Sequence, residues 1–198
     1  MAKLYYKYGA MGSSKTAQAL MTKFNYEEKG KKVWLIKPSL DTRDGKTVIK
    51  SRIGLKAEAS VIKPDTDVLD TYWRFPESEA PDVIIVDEAQ FLTYNQIGQL
   101  RIIVSYHDTP VICFGLRTDF QGKLFEGSKA LFELADSIAE IKSICKCGNK
   151  AIINARFDDN GKVIAEGPQI CIGGNEKYEA LCFKCWCDAI NTADKETI

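Results

Sequence analysis

The sequence lacks an excess of charge of either sign: 27 basic side chains are balanced by 27 acidic ones over 198 residues. That balance argues against a general nucleic-acid or membrane-surface binder, which would carry a net basic face. No run of eighteen apolar residues is present, so no helical membrane span is expected. The start MAKLYYKYGA has no apolar core of a secretory signal. The chain is therefore expected to be cytoplasmic. Histidine is almost absent. The single one, His107, lies in the polar stretch SYHDTP and is expected to be an exposed loop residue rather than a catalytic base. No internal repeat or low-complexity tract occurs.

What the chain does contain is 45% hydrophobic and 27% charged residues, the balance of a folded globular protein. Four apolar runs, at 4–9, 33–38, 83–88 and 111–116, are continuous rather than alternating, as in strands buried on both faces of a parallel sheet. Between them, Ala17, Leu20, Met21 and Phe24 recur with helical spacing, with Gly30 as a stop. Thr93 and Gln96 form a capping-box pattern ahead of Ile97, Leu100 and Val104. Leu131, Leu134 and Ala135 mark a further helix. Strand–helix alternation of this kind implies an α/β domain with right-handed crossovers. Residues 39–60 are polar, carry Arg43 and Arg52, and show no period; they read as a long, mobile loop. Trp73 and Phe75 are expected to close the hydrophobic face of a short helix, and Cys113 to be a small core residue.

The octapeptide Gly9-Ala10-Met11-Gly12-Ser13-Ser14-Lys15-Thr16 lies directly after an expected strand and before an expected helix. In that context the pattern cradles phosphates. Backbone N–H groups and the helix N-terminus face the anion, the lysine reaches the β- and γ-phosphates, and the threonine hydroxyl binds Mg²⁺. Ser14 stands where a second glycine is usual, and is accommodated if that position has negative φ. The loop needs an acidic strand end as its counterpart, and Val83–Val86 runs into Asp87-Glu88. Asp87 suits a Mg²⁺ ligand; Glu88 is left as a general base toward a hydroxyl or water. A nucleoside-triphosphate site follows.

Seven cysteines, an odd number, gather mostly in the last third of the chain, where clustering in a reducing compartment points to metal rather than disulfides. Cys145-x-Cys147 and Cys182-x-x-Cys185 are separated by 34 residues. Two close thiolate pairs fit a closed tetrahedral zinc site that supports the fold and leaves no position for catalysis. Cys187 is a fifth possible ligand, but Cys182 and Cys185 are favoured because their spacing forms a knuckle turn. The composition change near Ser143 suggests a division into residues 1–142, an ATP-binding unit, and 143–198, a zinc-binding unit.

Taken in order, GAMGSSKT, Asp41-Thr42-Arg43, DEAQF (87–91), GLRTDFQGKLFEGS (115–128), the cysteine pairs and IGGNEKY (172–178) resemble the type II thymidine kinases over essentially the whole chain, bacterial members above all in SRIGL and GLRTDF. The resemblance implies a RecA-like P-loop sheet flanked by helices, with a small zinc domain whose lasso closes over the nucleoside. It implies transfer of the γ-phosphate of ATP to the 5′-hydroxyl of thymidine or deoxyuridine, with Glu88 as the base. Residues 9–16, Asp87 and Gln90 would serve ATP, with Thr16 and Asp87 on Mg²⁺. On the nucleoside side it implies Met11, Asp41, Arg43, Phe91 and Phe120, the main chain of Ile170, Cys171, Ile172 and Gly173, and Tyr178. Arg156 matches an arginine of relatives. A homotetramer (or dimer) and inhibition by thymidine triphosphate are implied as well. A nucleic-acid-dependent ATPase is the alternative suggested by Asp-Glu-Ala-Gln, but the chain has room for one such domain and no basic stripe.

Overall fold

The protein is described by a computed structural model over residues 1–42, 45–170 and 178–195. Each expected apolar run forms a strand. These are β1 (Leu4–Tyr8), followed by helix α1 (Lys15–Glu27), and β2 (Val33–Pro38). Next come a hairpin of β3 (Val48–Lys50) and β4 (Lys56–Glu58), then β5 (Ser60–Ile62) and α2 (Val68–Trp73). The domain continues with β6 (Val83–Val86), α3 (Tyr94–His107), β7 (Val111–Gly115), α4 (Glu126–Leu134) and β8 (Ser137–Glu140). Six strands make one sheet in the order β5-β2-β6-β7-β1-β8, and every pairing is parallel.

The burial explains the apolar runs. Val83, Ile84, Ile85 and Val86 are completely inaccessible, since helices cover both faces of the sheet. One core layer joins Trp34, Ile36, Ile84 and Val86 to Ile97, Leu100 and Val104 of α3, and the other packs Leu35, Ile85 and Phe114 on Ala19 and Leu20 of α1. The capping box at α3 is formed, with Thr93 and Gln96 bonding reciprocally. Cys113 is buried in the middle of β7, and burial pushes its thiol pKa up, as expected of an inert core residue.

Three expectations are corrected. Residues 39–60 are not a featureless loop: β3 and β4 pair antiparallel and β5 joins the sheet edge. The period was invisible because these strands are three residues long. His107 is exposed but ends helix α3, and it accepts a hydrogen bond from the Trp73 indole at 3.3 Å. Phe75 does pack inward, edge-on to Trp34 at 5.2 Å, whereas Trp73 is 60% exposed.

After β8 the chain forms short antiparallel pairs. These are β9 (Ser143–Ile144) with β10 (Lys150–Ala151), and β11 (Ile153–Arg156) with β12 (Tyr178–Leu181), followed by α5 (Phe183–Lys195). Their own small core of Cys145, Ala151, Ala155, Leu181 and Cys182 includes Ala10 of the loop after β1. The two parts of the chain therefore meet at the phosphate loop.

Candidate active site

The loop after β1 is held from both sides. The Gly9 N–H donates to the Gly115 carbonyl at 3.2 Å, and the Met11 N–H to Asn154 Oδ1 at 2.7 Å. A side chain at Gly9 would lie 2.4 Å from the Ile141 carbonyl oxygen, so only glycine fits there. Ser14 differs from expectation: its φ is +63°, the left-handed conformation, and its side chain makes no capping bond to α1. The loop geometry at this position is that of the usual glycine, and the serine adopts it at a cost of about 1–2 kcal/mol. Lys15 folds back over the loop. Its Nζ donates to the carbonyls of Gly9 (3.0 Å) and Ala10 (2.9 Å) and to Ser13 Oγ (3.3 Å). A phosphate entering the loop would meet that ammonium.

The acidic strand end lies two strands away, because β7 intervenes between β1 and β6. Two strand spacings separate β1 from β6 by about 10 Å, and Thr16 at the start of α1 reaches back across that gap to the Asp87 carboxyl. The Asp87 N–H still bonds to Ile36 of β2 at 3.0 Å, extending the sheet pattern, and its carboxyl is buried. Burial, reinforced by the charge of Glu88, raises its pKa to about 7, against the lowering effect of the Thr16 hydroxyl and the Lys15 charge. A buried carboxyl held against its own ionisation is a fitting ligand for a divalent cation, and the threonine hydroxyl already beside it is the second donor such a site uses.

Glu88 leaves the strand with φ +50°, one of three non-glycine residues with positive φ among those described. Ser14 is another, so strain is concentrated around this site. The left-handed turn starts the 3₁₀ segment Ala89–Phe91. Gln90, expected to serve ATP, borders the same cavity but is buried behind Glu88. Its Nε2 donates to Glu88 Oε2 at 2.5 Å while its Oε1 accepts from the Leu116 N–H at 2.9 Å. Gly115 makes room for this bridge, since a Cβ there would come within 2.8 Å of Gln90 Oε1.

Loop and acids open into one cavity of about 710 Å³. It brings together Met11, Gly12, Ser14, Lys15, Thr16, Asp41, Asp87, Glu88, Gln90, Phe91, Phe120, Ile170 and Tyr178 from the expected set. Gly9, Ala10 and Ser13 form the loop without lining the cavity. Arg43, Cys171, Ile172 and Gly173 lie outside the described residues. Phe120 is buried beside the Arg156 guanidinium, 5.5 Å from its ring centroid, and Phe91 packs edge-on to Phe125 at 5.6 Å. Arg156 thus supports the aromatic wall.

Three residues of this region carried no recognised signal. Asn154 clamps the phosphate loop through Met11 and donates to the Thr118 carbonyl at 3.3 Å. Thr118 lines the cavity with a buried hydroxyl that has no partner among the described residues. Lys37 is wholly inaccessible at the end of β2. It donates to Val48 O (2.9 Å) and Gly45 O (3.2 Å) and pairs with Asp41 at 3.3 Å, fixing that carboxylate on the cavity wall. A lysine inside the apolar run VWLIKP was the available clue to it, because a buried ammonium requires a partner.

The sulfur atoms of Cys145, Cys147, Cys182 and Cys185 all lie within 4.8 Å of one another, and Cys147 and Cys182 are 3.6 Å apart. Zinc–sulfur bonds near 2.3 Å set the edges of a tetrahedron at about 3.8 Å, so the four thiols fit that metal. Cys187 is not in the group. Cys182 and Cys185 occupy the start of α5 rather than a free knuckle, and the Cys185 N–H donates to Cys182 Sγ at 3.4 Å. On the other pair, Gly148 takes φ +88° to bond back to the Cys145 carbonyl at 2.8 Å. The Asn149 backbone and the neighbouring thiols pull the Cys147 pKa down to about 6, while Cys147, with Cys182 and Cys145, pushes Cys185 up to about 12.

Comparison with known proteins follows the same lines. The profile of a family described as thymidine kinase matches residues 2–186. The thymidine kinase of Enterobacteria phage T4 is 46% identical over 186 residues, covering 94% of this chain and 96% of that protein. That of Vibrio cholerae serotype O1 is 44% identical over 190 residues (96% and 99%). That of Streptococcus gordonii is 49% identical over 185 residues (93% and 95%).

Proposed function

The chain belongs to the thymidine kinase family, and on that premise we propose that it transfers the γ-phosphate of ATP to the 5′-hydroxyl of thymidine or deoxyuridine. The observation that carries this reading is the shared cavity, in which a lysine phosphate loop and a buried Asp87–Glu88 pair face Phe91, Phe120 and Tyr178. Residues 9–16 would hold the β- and γ-phosphates through backbone N–H groups and Lys15. Thr16 and Asp87 would hold Mg²⁺, which when bound neutralises phosphate charge. Glu88, oriented by Gln90, would accept the 5′-hydroxyl proton as the O5′–Pγ bond forms and the bond from Pγ to the ADP oxygen breaks.

On the acceptor side, Met11, Phe91, Phe120, Tyr178 and the main chain from Ile170 to Gly173 would enclose the base, with Asp41 and Arg43 beside the reacting groups. The Thr118 hydroxyl would bond to the nucleoside, satisfying in the complex what it lacks without it. We assign residues 1–142 to ATP binding and 143–198 to closure over the nucleoside. Zinc on the four cysteines would hold the base of that closing segment in place, contributing through geometry alone. No described helix is long and apolar enough to cross a membrane, in keeping with the cytoplasmic placement proposed. Tetramer formation and inhibition by thymidine triphosphate complete the reading.

The test is γ-labelled Mg-ATP offered with thymidine, deoxycytidine, deoxyguanosine or single-stranded DNA in parallel. Label is expected in thymidine monophosphate alone, and Glu88→Gln should lower turnover by roughly 10²–10⁴-fold. Free phosphate released in the presence of DNA would replace the kinase reading with an ATPase.

A further inference from the structure

The β3–β4 hairpin ends at the cavity, where Ser51, Arg52, Ile53 and Gly54 form part of its wall. We propose that Arg52 is a phosphoryl-positioning arginine supplied in cis, its guanidinium engaging the γ-phosphoryl oxygens of the donor during transfer. The inference rests on the kinase reading above and adds a residue to it.

Three observations converge. First, the hairpin is a fixed platform. Ile49 is 2% exposed and packs with Ala19 and Leu20 of α1. Buried Ser51 closes the turn, its N–H donating to the Leu55 carbonyl at 2.8 Å and its Oγ accepting from the Leu55 N–H at 3.0 Å. Gly54 bonds back to Ser51 at 3.0 Å with φ +90°, and buried Lys37 holds the carbonyls of Gly45 and Val48 from below. Second, the guanidinium reaches the phosphate loop: a Cβ built on Gly12 would lie 3.9 Å from Arg52 Nη1. Third, Arg52 is exposed and forms no ion pair among the described residues.

The chemistry calls for such a group. In phosphoryl transfer the charge spreads over three equatorial oxygens, and stabilising it is most of what the protein contributes. Asp41 is already paired with Lys37, and Lys15 is held by the loop carbonyls, which leaves Lys50 and Arg52 as the other cations on a cavity that also carries Asp87 and Glu88. A planar guanidinium can meet two of the oxygens at once, which a lysine cannot.

The experiment compares kcat and KM of the wild type, Arg52→Ala and Arg52→Lys with saturating Mg-ATP and varied thymidine, together with melting temperatures. The wild type serves as the separate check on the kinase reading, because failure to label thymidine monophosphate there would defeat that reading whatever Arg52 does. Given transfer by the wild type, Arg52→Ala should lower kcat by about 10²-fold or more. The thymidine KM and the melting temperature should stay near wild type. Guanidinium ion added at millimolar concentration should restore part of the lost kcat, and Arg52→Lys should fall between the two. Retention of kcat within threefold would overturn the proposal. So would a loss of activity that guanidinium leaves unchanged, since that would make Arg52 a support of the hairpin.

Discussion

Binding of the phosphate donor should expel a proton from Asp87, in an amount that depends on pH. Burial and the neighbouring Glu88 charge hold its pKa well above the usual carboxylate range, so the free protein keeps a proton on this carboxyl further into neutral pH than an exposed aspartate would. The protonated share falls as pH rises from 6 to 8. A Mg²⁺ ligand must be ionised, so binding of preformed Mg-ATP should release up to about one proton, more at pH 6 than at pH 8. Titration calorimetry in two buffers of different ionisation enthalpy counts these protons, and Asp87→Asn supplies the baseline from the nucleotide itself. The same group sets a slope in stability. Between its unfolded value near 3.8 and about 7, the folded protein keeps a proton that the unfolded chain has released. Stability of the nucleotide-free protein should therefore fall as pH rises through that window, by up to roughly 4 kcal/mol at 1.36 kcal/mol per unit. Asp82 and Asp136, held low by hydrogen bonds from Lys32 and Leu4, act with the opposite sign and below that window. Proton release that is the same at pH 6 and pH 8, or the same in Asp87→Asn as in the wild type, would refute the assignment of Asp87.

Gln90→Leu removes the donor to Glu88 and the acceptor for the half-buried Leu116 N–H, a loss of about 2–5 kcal/mol. Scanning calorimetry should show melting about 5–15 °C lower, with kcat reduced; an unchanged melting temperature would mean that the bridge is dispensable. Thr118→Val should move two readouts in opposite directions. Removing an unpartnered buried hydroxyl should stabilise the free protein by about 1 kcal/mol, while the thymidine KM rises about tenfold; a KM like the wild type would take Thr118 out of the nucleoside site. Zinc stripped by a chelator, or the Cys182→Ser change, should lower the melting temperature and abolish thymidine binding. Metal analysis should find one zinc per chain beforehand, and full activity in folded, zinc-free protein would sink the link between metal and site.

The parts of this protein that could be read from its sequence are those in which a local pattern carries the physics. The runs VWLIKP, VIIV and VICFG are continuous because both faces of their sheet are covered, and continuity survives in one dimension. The phosphate loop, the acidic pair at a strand end and the two cysteine pairs depend on spacing along a few residues. The family resemblance works for the same reason, since it is a sum of such local patterns in register.

Tertiary structure decided what depends on approach from elsewhere in the chain. Strands of three residues have too short a period to notice, so the β3–β4 hairpin read as a loop. Ser14 was expected at negative φ. The fold places it in the left-handed conformation because the loop, tied to Gly115 and Asn154, leaves the chain little other path into α1. Gln90 is two residues from Glu88 in sequence, but only the arrival of β7, with Gly115 and Leu116, turns it into a bridge. Lys37, Thr118 and Asn154 belong to the site through contacts across 8 to 143 positions of chain. A sequence records which groups are available at each point, and hydrophobic periodicity brings the strands to one sheet. Which buried polar atoms then find partners, and which are left facing the cavity, is settled only when distant segments close on one another.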